Sequence, residues 1–306
     1  MSGTIEEAFG AKPKSMNSAQ KIETVFEKII HRFESKDIMR ISIATGSSGV
    51  LDKYIDKRQK EIVSKYLSGD KQGYFLDAGM GAGRWTDFLC MHSEEEIGVD
   101  ISKKMLIVAR ANTRQKNSSY IVCSNTNLPF KDNTFNFSFS CFSLLYLVPY
   151  TDFNKAVEEL VRVTKPDQKI IIIDITARKP AVSALIHRRT SSQYIETFSK
   201  YGAALENIEG CYVDYPVRGY QFILKRIFRL FFGSSFHSGT NIWDWVEEKG
   251  ENFKTIIQLP LKLIIFVMYP GDKLLAGTAL QPICPEKVFI FRKKDHRNIY
   301  LSSKSQ

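Results

Sequence analysis

The chain has 306 residues and a formal net charge of +10 at pH 7, from 43 lysine and arginine residues against 33 aspartate and glutamate residues. Hydrophobic residues make up 43% of it and charged residues 25%, which is usual for a globular protein and excludes a disordered or fibrous chain. At roughly 150 residues per domain, this length predicts one large domain or two modest ones.

Targeting signals and cysteine spacing set expectations about the compartment. The first residues lack the apolar core of a signal peptide, and the longest apolar run, Leu259 to Tyr269, is shorter than the ~20 residues that span a bilayer. The five cysteines include no CxxC pair, which predicts neither a metal site nor a disulfide framework and fits a reducing compartment. We therefore expect a cytoplasmic protein without a transmembrane segment or a bound metal.

Positive charge is concentrated in the second half of the chain. Residues 175–306 contain 19 basic and 11 acidic residues, a net charge of +8. Such an excess favours an anionic substrate, a nucleic acid or an anionic membrane surface, although solvated lysine and arginine side chains account for it equally well.

Helical and strand patterns divide the chain into segments. Residues 1–49 are predicted to form an arm and one helix, because apolar residues recur at helical spacing over 22–33. Residues 51–67 predict a second helix by the same spacing. Short apolar runs then predict strands at 74–77, 96–100, 120–123, 135–140 and 169–175, and helical spacing predicts helices at 84–91, 103–112 and 152–163. Strands that alternate with helices predict an α/β fold with a parallel sheet, so residues 50–175 form the expected core.

The alternation ends after the fifth predicted strand. Residues 176–286 are rich in aromatic side chains and poor in strand signals, which predicts a helical cap that selects the substrate. A sixth strand is expected inside this segment, at Leu263 to Met268. Residues 287–306 are expected to supply the last core strand, over 287–292, and a tail.

A glycine-rich turn follows the first predicted strand. Asp77 ends the strand, and Gly79, Gly81 and Gly83 follow at alternate positions. Glycine permits a tight turn and a close ligand, and the next helix presents free N–H groups and a partial positive charge. In the GxGxxG motif of dinucleotide-binding proteins, the last glycine would fall on Arg84. Because a carboxylate repels a pyrophosphate and attracts an ammonium group, the turn favours a ligand with an amino-acid end over a dehydrogenase cofactor.

A second carboxylate, Asp100, ends the next predicted strand. A carboxylate at that strand end can accept hydrogen bonds from both hydroxyls of a ribose. Because the carboxyl ends of parallel strands meet at one edge, Asp77 and Asp100 are expected to lie close together.

These motifs resemble those of class I S-adenosylmethionine-dependent methyltransferases, in the small-molecule subgroup. Residues 77–83 meet the family's acid-x-Gly-x-Gly-x-Gly motif, Asp100 is its second acid, and the blocks 124–136 and 159–168 are similar to two later motifs. The resemblance covers residues 50–175 closely and the last strand loosely. It implies a Rossmann-like, mostly parallel seven-stranded sheet with helices on both faces, N-terminal helices and a cap after strand five.

The resemblance also implies that the chain binds S-adenosylmethionine and releases S-adenosylhomocysteine. Asp100 would take the ribose hydroxyls and Ile101 would pack on the adenine. Ser124 stands where the family usually has an aspartate that accepts a bond from the adenine, so anchoring is expected to be weaker unless Asn125 compensates. The implied cofactor-binding residues are Asp77, Gly79, Gly81, Gly83, Asp100, Ile101, Ser124, Asn125, Ser140 and Cys141, the last two bordering the sulfonium.

Candidates for catalysis are few, because methyl transfer depends on alignment and the exclusion of water more than on acid–base chemistry. Tyr146, where many relatives have histidine, is the candidate catalytic residue, with packing beneath the site as its alternative role. His187 and His237 are weaker candidates for a general base, since a lone histidine is more often structural.

Two stretches of the predicted cap bear on the substrate. Tyr212, Tyr215 and Arg218 are candidate substrate-binding residues, because closely spaced aromatic and charged side chains suit a pocket wall. Residues 221–232 form a basic amphipathic segment that suits either a core-facing helix or contact with a membrane or an anionic substrate.

The combined prediction is methyl transfer to an oxygen or nitrogen atom of a small-molecule or peptide acceptor, in which proximity and desolvation drive an in-line displacement. The basic cap favours an acidic acceptor. An RNA or protein methyltransferase is an alternative, although residues 140–143 lack the Asn/Asp-Pro-Pro-Tyr-type motif of RNA-directed relatives, so a nucleic-acid partner is not expected. A non-catalytic cofactor-binding partner protein is the other alternative.

Overall fold

The structure is a computed structural model that describes residues 50–67, 69–183, 185–212, 251–275 and 284–295, together with residues 24, 220, 222–224, 226–228 and 246. Outside the described residues lie the predicted helix 22–33 apart from Thr24, the candidates Tyr215, Arg218 and His237, and about half of the segment 221–232.

Helices and strands alternate through the first half of the described chain. The helices are α1 (Val50–Ser64), α2 (Thr86–His92), α3 (Lys103–Asn112), α4 (Tyr150–Val163), α5 (Ser191–Lys200) and α6 (Glu251–Leu275), with a 3-10 turn at Leu144–Tyr146. The strands are β1 (Tyr74–Ala78), β2 (Glu95–Asp100), β3 (Ser118–Val122), β4 (Phe135–Cys141), β5 (Thr164–Ile175), β6 (Ala181–Val182), β7 (His187–Arg188), β8 (Ala203–Gly210) and β9 (Glu286–Lys293).

Seven of these strands form one sheet in the order β3-β2-β1-β4-β5-β9-β8. Strands β1 to β5 pair in parallel, whereas β9 is antiparallel to both of its neighbours. The predicted α/β fold with a mostly parallel seven-stranded sheet is thus confirmed. Strand order reverses between β1 and β4, where open α/β sheets form a crevice for ligands.

The sheet buries side chains on both faces, because helices cover both. On one face, Phe139 packs in a cluster with Tyr54 of α1. On the other, Ile172 packs in a cluster with Phe153 of α4. Burying one such side chain fully contributes about 1.5–3 kcal/mol. Burial on both sides explains why β5 is a nearly continuous apolar run and not an alternating one.

The expected sixth strand at Leu263 to Met268 is wrong, because those residues lie within α6. The strand is β8 instead, which lies inside the segment 176–286 and joins the main sheet through β9. A short apolar run does not distinguish a strand from a buried helix by its periodicity. Tertiary contacts decide here: Leu261 of α6 is buried in the same cluster as Tyr54 of α1.

Candidate cofactor and acceptor site

A cavity of about 250 Å³ opens at the carboxyl ends of β1, β2 and β4, where the strand order reverses. The residues that line it are Asp77, Gly79, Met80, Gly81, Ala82, Arg84, Trp85, Asp100, Ile101, Met105, Ser124, Asn125, Thr126, Cys141, Phe142, Ser143, Tyr146, Leu147, Pro149 and Asp152. Ser124, Asn125 and Thr126 follow β3, so the loops after four parallel strands, β1 to β4, meet in one concave site.

The three glycines after β1 adopt positive φ angles of +78°, +55° and +82°, so each is in a conformation that other residues rarely adopt. Their surroundings differ. A Cβ on Gly79 would lie 2.1 Å from Ser143 Oγ, and one on Gly83 would lie 3.0 Å from Ala109 Cβ of α3. A Cβ on Gly81 would meet no atom within 4 Å. Gly81 therefore keeps the cavity open, whereas the other two allow the turn to pack closely.

Asp77 lies at the end of β1 and is only 1% exposed. Its Oδ2 atom has no hydrogen-bond partner within the described part of the chain. Burial, with the neighbouring Glu96 carboxylate, raises the pKa of Asp77 well above its ordinary value. A buried carboxyl group with a free acceptor atom suits a cationic ligand group, which would lower that pKa again.

Asp100 at the end of β2 holds the glycine turn in place. Its Oδ2 accepts a hydrogen bond from the Gly81 amide at 2.9 Å, and its Oδ1 accepts one from the Ser102 amide at 2.8 Å. Burial raises the pKa of Asp100, and these amide bonds oppose that rise. Each carboxylate oxygen has a second lone pair, so the group can also accept bonds from a diol.

Next to Asp100, Ser124 and Asn125 differ in what they can offer a ligand. The Ser124 hydroxyl is 2.8 Å from the Thr126 hydroxyl and accepts a bond from the Thr126 amide at 3.2 Å. The Asn125 amide donates through Nδ2 to Ser143 Oγ at 2.8 Å, while its Oδ1 has no partner among the described residues. Asn125, not Ser124, thus supplies the free acceptor on this wall.

The lining also includes aromatic side chains and the buried cation of Arg84. Arg84 donates to Asp56 Oδ1 at 2.9 Å and to Gln59 Oε1 at 2.7 Å, both on α1, and to Cys141 Sγ at 3.0 Å. Burial raises the pKa of the Cys141 thiol to about 12, although Arg84 opposes the rise. Trp85 also lines the cavity and adds apolar surface. The positive charge of Arg84 is neutralised by Asp56 of α1.

The Tyr146 phenol belongs to the same lining. Burial, with Asp174 nearby, raises its pKa above its ordinary value. Cys141 and Tyr146 therefore keep their protons near neutral pH and do not serve as bases there. No histidine is among the described residues that line the cavity.

The predicted site residues fall into three groups. Nine of them line the cavity: Asp77, Gly79, Gly81, Asp100, Ile101, Ser124, Asn125, Cys141 and Tyr146. Gly83 and Ser140 lie beside it without lining it, and the Ser140 hydroxyl donates to the Ala78 carbonyl at 2.9 Å. Tyr212 is 3% exposed in the core, with its ring 6.4 Å from that of Tyr54. His187 also lies away from the lining, its Nδ1 being 3.3 Å from the Val148 carbonyl.

Several lining residues are absent from the predicted set. Arg84 and Trp85 follow the third glycine directly, so their position next to the turn was a usable signal. Phe142 and Ser143 come straight after β4 and were reachable by the same logic, as neighbours of Cys141. Asp152 in the first turn of α4 carries no local signal, because only the fold brings that helix to the cavity.

The residues present fit S-adenosylmethionine on observations independent of any motif. A free buried carboxylate oxygen on Asp77 suits an ammonium group, and the open space above Gly81 accommodates a ligand close to the backbone. Asp100 suits a ribose, and the free Oδ1 of Asn125 suits an amino group. The fold and this site match those expected of a class I S-adenosylmethionine-dependent methyltransferase domain.

Comparison with known proteins agrees with that class. Residues 76–172 match the family described as a methyltransferase domain. The chain is 28% identical over 159 residues to a demethylmenaquinone methyltransferase of Bacillus licheniformis, covering 51% of this chain and 62% of that protein. It is 29% identical over 197 residues to the ubiquinone/menaquinone biosynthesis C-methyltransferase UbiE of Pasteurella multocida, covering 60% and 67%.

Another relative has a different activity in its name. The chain is 33% identical over 121 residues to a malonyl-[acyl-carrier protein] O-methyltransferase of Buchnera aphidicola, covering 40% of this chain and 47% of that protein. The chain thus spans between about half and two thirds of the length of these curated relatives.

Solved structures share the fold at low sequence identity. The YcgJ protein of Bacillus subtilis superposes with a TM-score of 0.50 at 16% identity, covering 78% of this chain and 99% of that one. The [4+2]-cyclase SpnF gives a TM-score of 0.50 at 14% identity, covering 78% and 80%. Because a cyclase is among these neighbours, the fold alone does not define the reaction.

Proposed function

We propose that this protein transfers a methyl group from S-adenosylmethionine to a small aromatic acceptor with an acidic hydroxyl group. Methyl would go to that oxygen or to a ring carbon that the ionised oxygen activates. Oxygen and nitrogen are the atoms expected from the sequence, and carbon joins them because the relative from Pasteurella multocida is named a C-methyltransferase. The observation that carries the proposal is one cavity whose lining combines polar acceptors with apolar and aromatic side chains. We call Asp77, Asp100 and Asn125 the polar wall, and Trp85, Phe142, Tyr146 and Leu147 the aromatic wall.

The polar wall would hold the cofactor. Asp77 would bind the ammonium group, Asp100 the ribose hydroxyls and Asn125 the adenine. The bound cofactor would supply a methyl group on a positively charged sulfur, which already makes it a good methyl donor. What the chain must add is alignment and the exclusion of water.

The aromatic wall would hold the acceptor. The rings of Trp85 and Phe142 offer flat apolar surface for an aromatic acceptor, and Leu147 adds an aliphatic contact. Tyr146 keeps its proton, so it can donate a hydrogen bond to an anionic acceptor oxygen and cannot remove a proton from a neutral one. An acidic phenol that ionises near neutral pH needs no base, which is why it suits these residues. A hydroquinone, whose pKa of about 10 is that of an ordinary phenol, would react through the small fraction that has lost its proton to water.

The cofactor part of the proposal is tested by calorimetry with S-adenosylhomocysteine. Replacing Asp100 with alanine removes two charge-assisted acceptors for the ribose, at about 1.5–3 kcal/mol each, and is expected to raise Kd at least a hundredfold. Asp132→Ala, which removes an exposed carboxylate paired with Arg162, is the control and is expected to leave Kd unchanged. Equal, tight binding to both variants would remove Asp100 from the site.

The acceptor part is tested by a radiolabelled-methyl screen. The panel pairs each acidic phenol or hydroquinone with its carboxylic acid, amine and neutral alcohol analogues, and includes peptides. Label is expected on the phenols and hydroquinones, at oxygen or ring carbon. Label confined to amines, carboxylates or peptides would contradict the aromatic hydroxyl acceptor without affecting the cofactor site.

A further inference from the structure

Helix α6 is apolar on two opposite sides. Its inner side packs on α1, where Leu261 is fully buried and the Tyr269 ring lies 6.3 Å from the Tyr54 ring. Its outer side carries four large apolar side chains at spacings of three and four residues, which form one stripe. These are Ile256, Leu259, Leu263 and Phe266, and they are between 64% and 77% exposed. A helix that is apolar all round is typical of one covered on every side.

A second helical segment next to α6 repeats this arrangement. Leu224 and Phe228 are buried in the same core cluster as Leu261 of α6, and the Tyr220 hydroxyl donates to the Ile257 carbonyl. On its outer side, the segment exposes Phe222, Ile223 and Ile227, at 64%, 55% and 40%. We call these three residues and the stripe on α6 the apolar patch. Seven large exposed apolar side chains on two helices in contact exceed the scattered singles of an ordinary surface.

The exposed charges that the structure describes on these two helical stretches have one sign. The exposed charged side chains described on these two stretches are Arg226 and Lys262, both cations. In the sequence, no acidic residue occurs between Asp214 and Asp244, or between Glu251 and Asp272. Apolar side chains flanked by cations, without anions, match the chemistry of a bilayer that contains anionic lipids.

We propose that the apolar patch binds the surface of an anionic lipid bilayer, with the apolar side chains at the level of the headgroups and Arg226 and Lys262 against lipid phosphates. No described helix is long and apolar enough to cross a bilayer, so the contact is peripheral. This surface is separate from the cofactor cavity, and its binding does not depend on which acceptor is methylated.

Co-sedimentation with vesicles tests the proposal on the full chain. Binding is expected to vesicles of phosphatidylcholine with phosphatidylglycerol, and to be much weaker to phosphatidylcholine alone. Leu259→Glu with Leu263→Glu is expected to weaken binding at least about tenfold. The matched control is Ile107→Glu with Val182→Glu, at equally exposed positions on α3 and β6, which is expected to bind as the unchanged protein does.

The charge contribution has its own variant. Arg226→Gln with Lys262→Gln is expected to weaken binding to the anionic vesicles about thirtyfold, from the usual contribution of a basic residue near an anionic surface. Each variant is first shown to be folded, by its normal binding of S-adenosylhomocysteine. If the unchanged protein does not bind S-adenosylhomocysteine, the circular dichroism spectrum of each variant is compared with that of the unchanged protein instead. A failure of the proposed methyltransferase function is thus distinguishable from a failure of the proposed bilayer binding.

Three results would overturn the proposal. One is the absence of vesicle binding by the unchanged protein. Another is equal binding to both vesicle types together with no effect of the charge variant. The third is a dimer in light scattering that Leu259→Glu with Leu263→Glu dissociates, without vesicle binding, because a second copy would then cover the apolar patch.

Discussion

Four buried polar atoms on residues that line the cavity have no hydrogen-bond partner within the described residues. They are two acceptors, Asp77 Oδ2 and Asn125 Oδ1, and two N–H donors, Arg84 Nε and Trp85 Nε1. Buried polar groups in proteins are nearly always bonded, so we expect a bound ligand or ordered water to complete these four atoms. A ligand that did so would carry both donors and acceptors, as an amino-acid nucleoside does.

The different positions of Ser124 and Asn125 give a residue-scale prediction. Asn125→Ala removes the free acceptor and is expected to weaken S-adenosylhomocysteine binding about tenfold, the value of one hydrogen bond of roughly 1.4 kcal/mol. Ser124→Ala removes a hydroxyl that is bonded locally to Thr126, and is expected to change Kd by less than about threefold. Calorimetry measures both Kd values. A larger loss of affinity in Ser124→Ala than in Asn125→Ala would assign the adenine contact to Ser124.

Sequence motifs predict the polar wall of the site better than the aromatic wall. Asp77 and Asp100 are recognisable because a carboxylate at the end of a buried strand, close to a run of glycines, is costly unless it binds something. Phe142 lines the cavity but carries no such signal. The chain turns after β4 with a φ of +53° at Phe142, and no residue type at that position indicates the turn. Side chains that serve through shape alone leave little trace in one sequence.

Among the elements, the 3-10 turn that carries Tyr146 is held from behind by the buried guanidinium of Arg189. Arg189 is fully buried and donates to the Leu144 carbonyl at 3.2 Å and to the Leu147 carbonyl. Asp174 at the end of β5 accepts a bond from the Tyr194 hydroxyl at 2.6 Å and faces the same guanidinium. The aromatic wall thus owes its position to groups outside the cavity.

Arg189→Met is expected to lower the free energy of unfolding by about 3 kcal/mol, because it leaves the carbonyls of Leu144, His187 and Leu147 without their shared donor, at roughly 1 kcal/mol or more each. Urea unfolding measures the change. Arg188→Met, at the half-buried neighbouring position, is the control, with an expected change within about 0.5 kcal/mol. Because the Arg189 guanidinium also acts electrostatically on the buried Asp174 carboxyl group, Arg189→Met and Asp174→Asn are expected to be non-additive, and strict additivity would contradict that coupling.

At the same scale, the sequence predicts the elements with the strongest patterns and misses the weaker ones. Strands β1 and β5 are recognisable because two-sided burial demands apolar runs. Strand β8 reads AALENIEG, with a polar, half-exposed middle, because it lies at the edge of the sheet and needs little apolar surface. Contacts with distant elements supply what local pattern lacks.

For the whole molecule, buried carboxyl groups couple folding to pH. Glu96 on β2 is fully buried, accepts a bond from Ser118 Oγ at 2.7 Å, and has a pKa raised from 4.5 to about 7, chiefly by burial. Between these two values the native state binds more protons than the unfolded state. The free energy of unfolding therefore falls as pH rises through this window, by up to about 3 kcal/mol from this group.

Glu96→Gln should remove that part of the decline, because glutamine keeps the bond to Ser118 and carries no charge. Urea unfolding at several pH values from 4.5 to 7.5 measures the slope. Glu95→Gln is the matched control, since the neighbouring half-buried glutamate bonds Ser119 Oγ at 2.6 Å in the same way. An unchanged slope in Glu96→Gln would show that other groups dominate the pH dependence.

The place of β9 in the sheet has a consequence for how the chain is made. β9 is the last of the described strands in sequence, yet it lies between β5 and β8. A ribosome releases β5 and β8 long before residues 286–293, so both strands wait with unpaired backbone edges while roughly 75 further residues are added after β8. The nascent chain therefore cannot complete its sheet before residues 286–293 emerge, and until then the edges of β5 and β8 remain open to pairing with other chains.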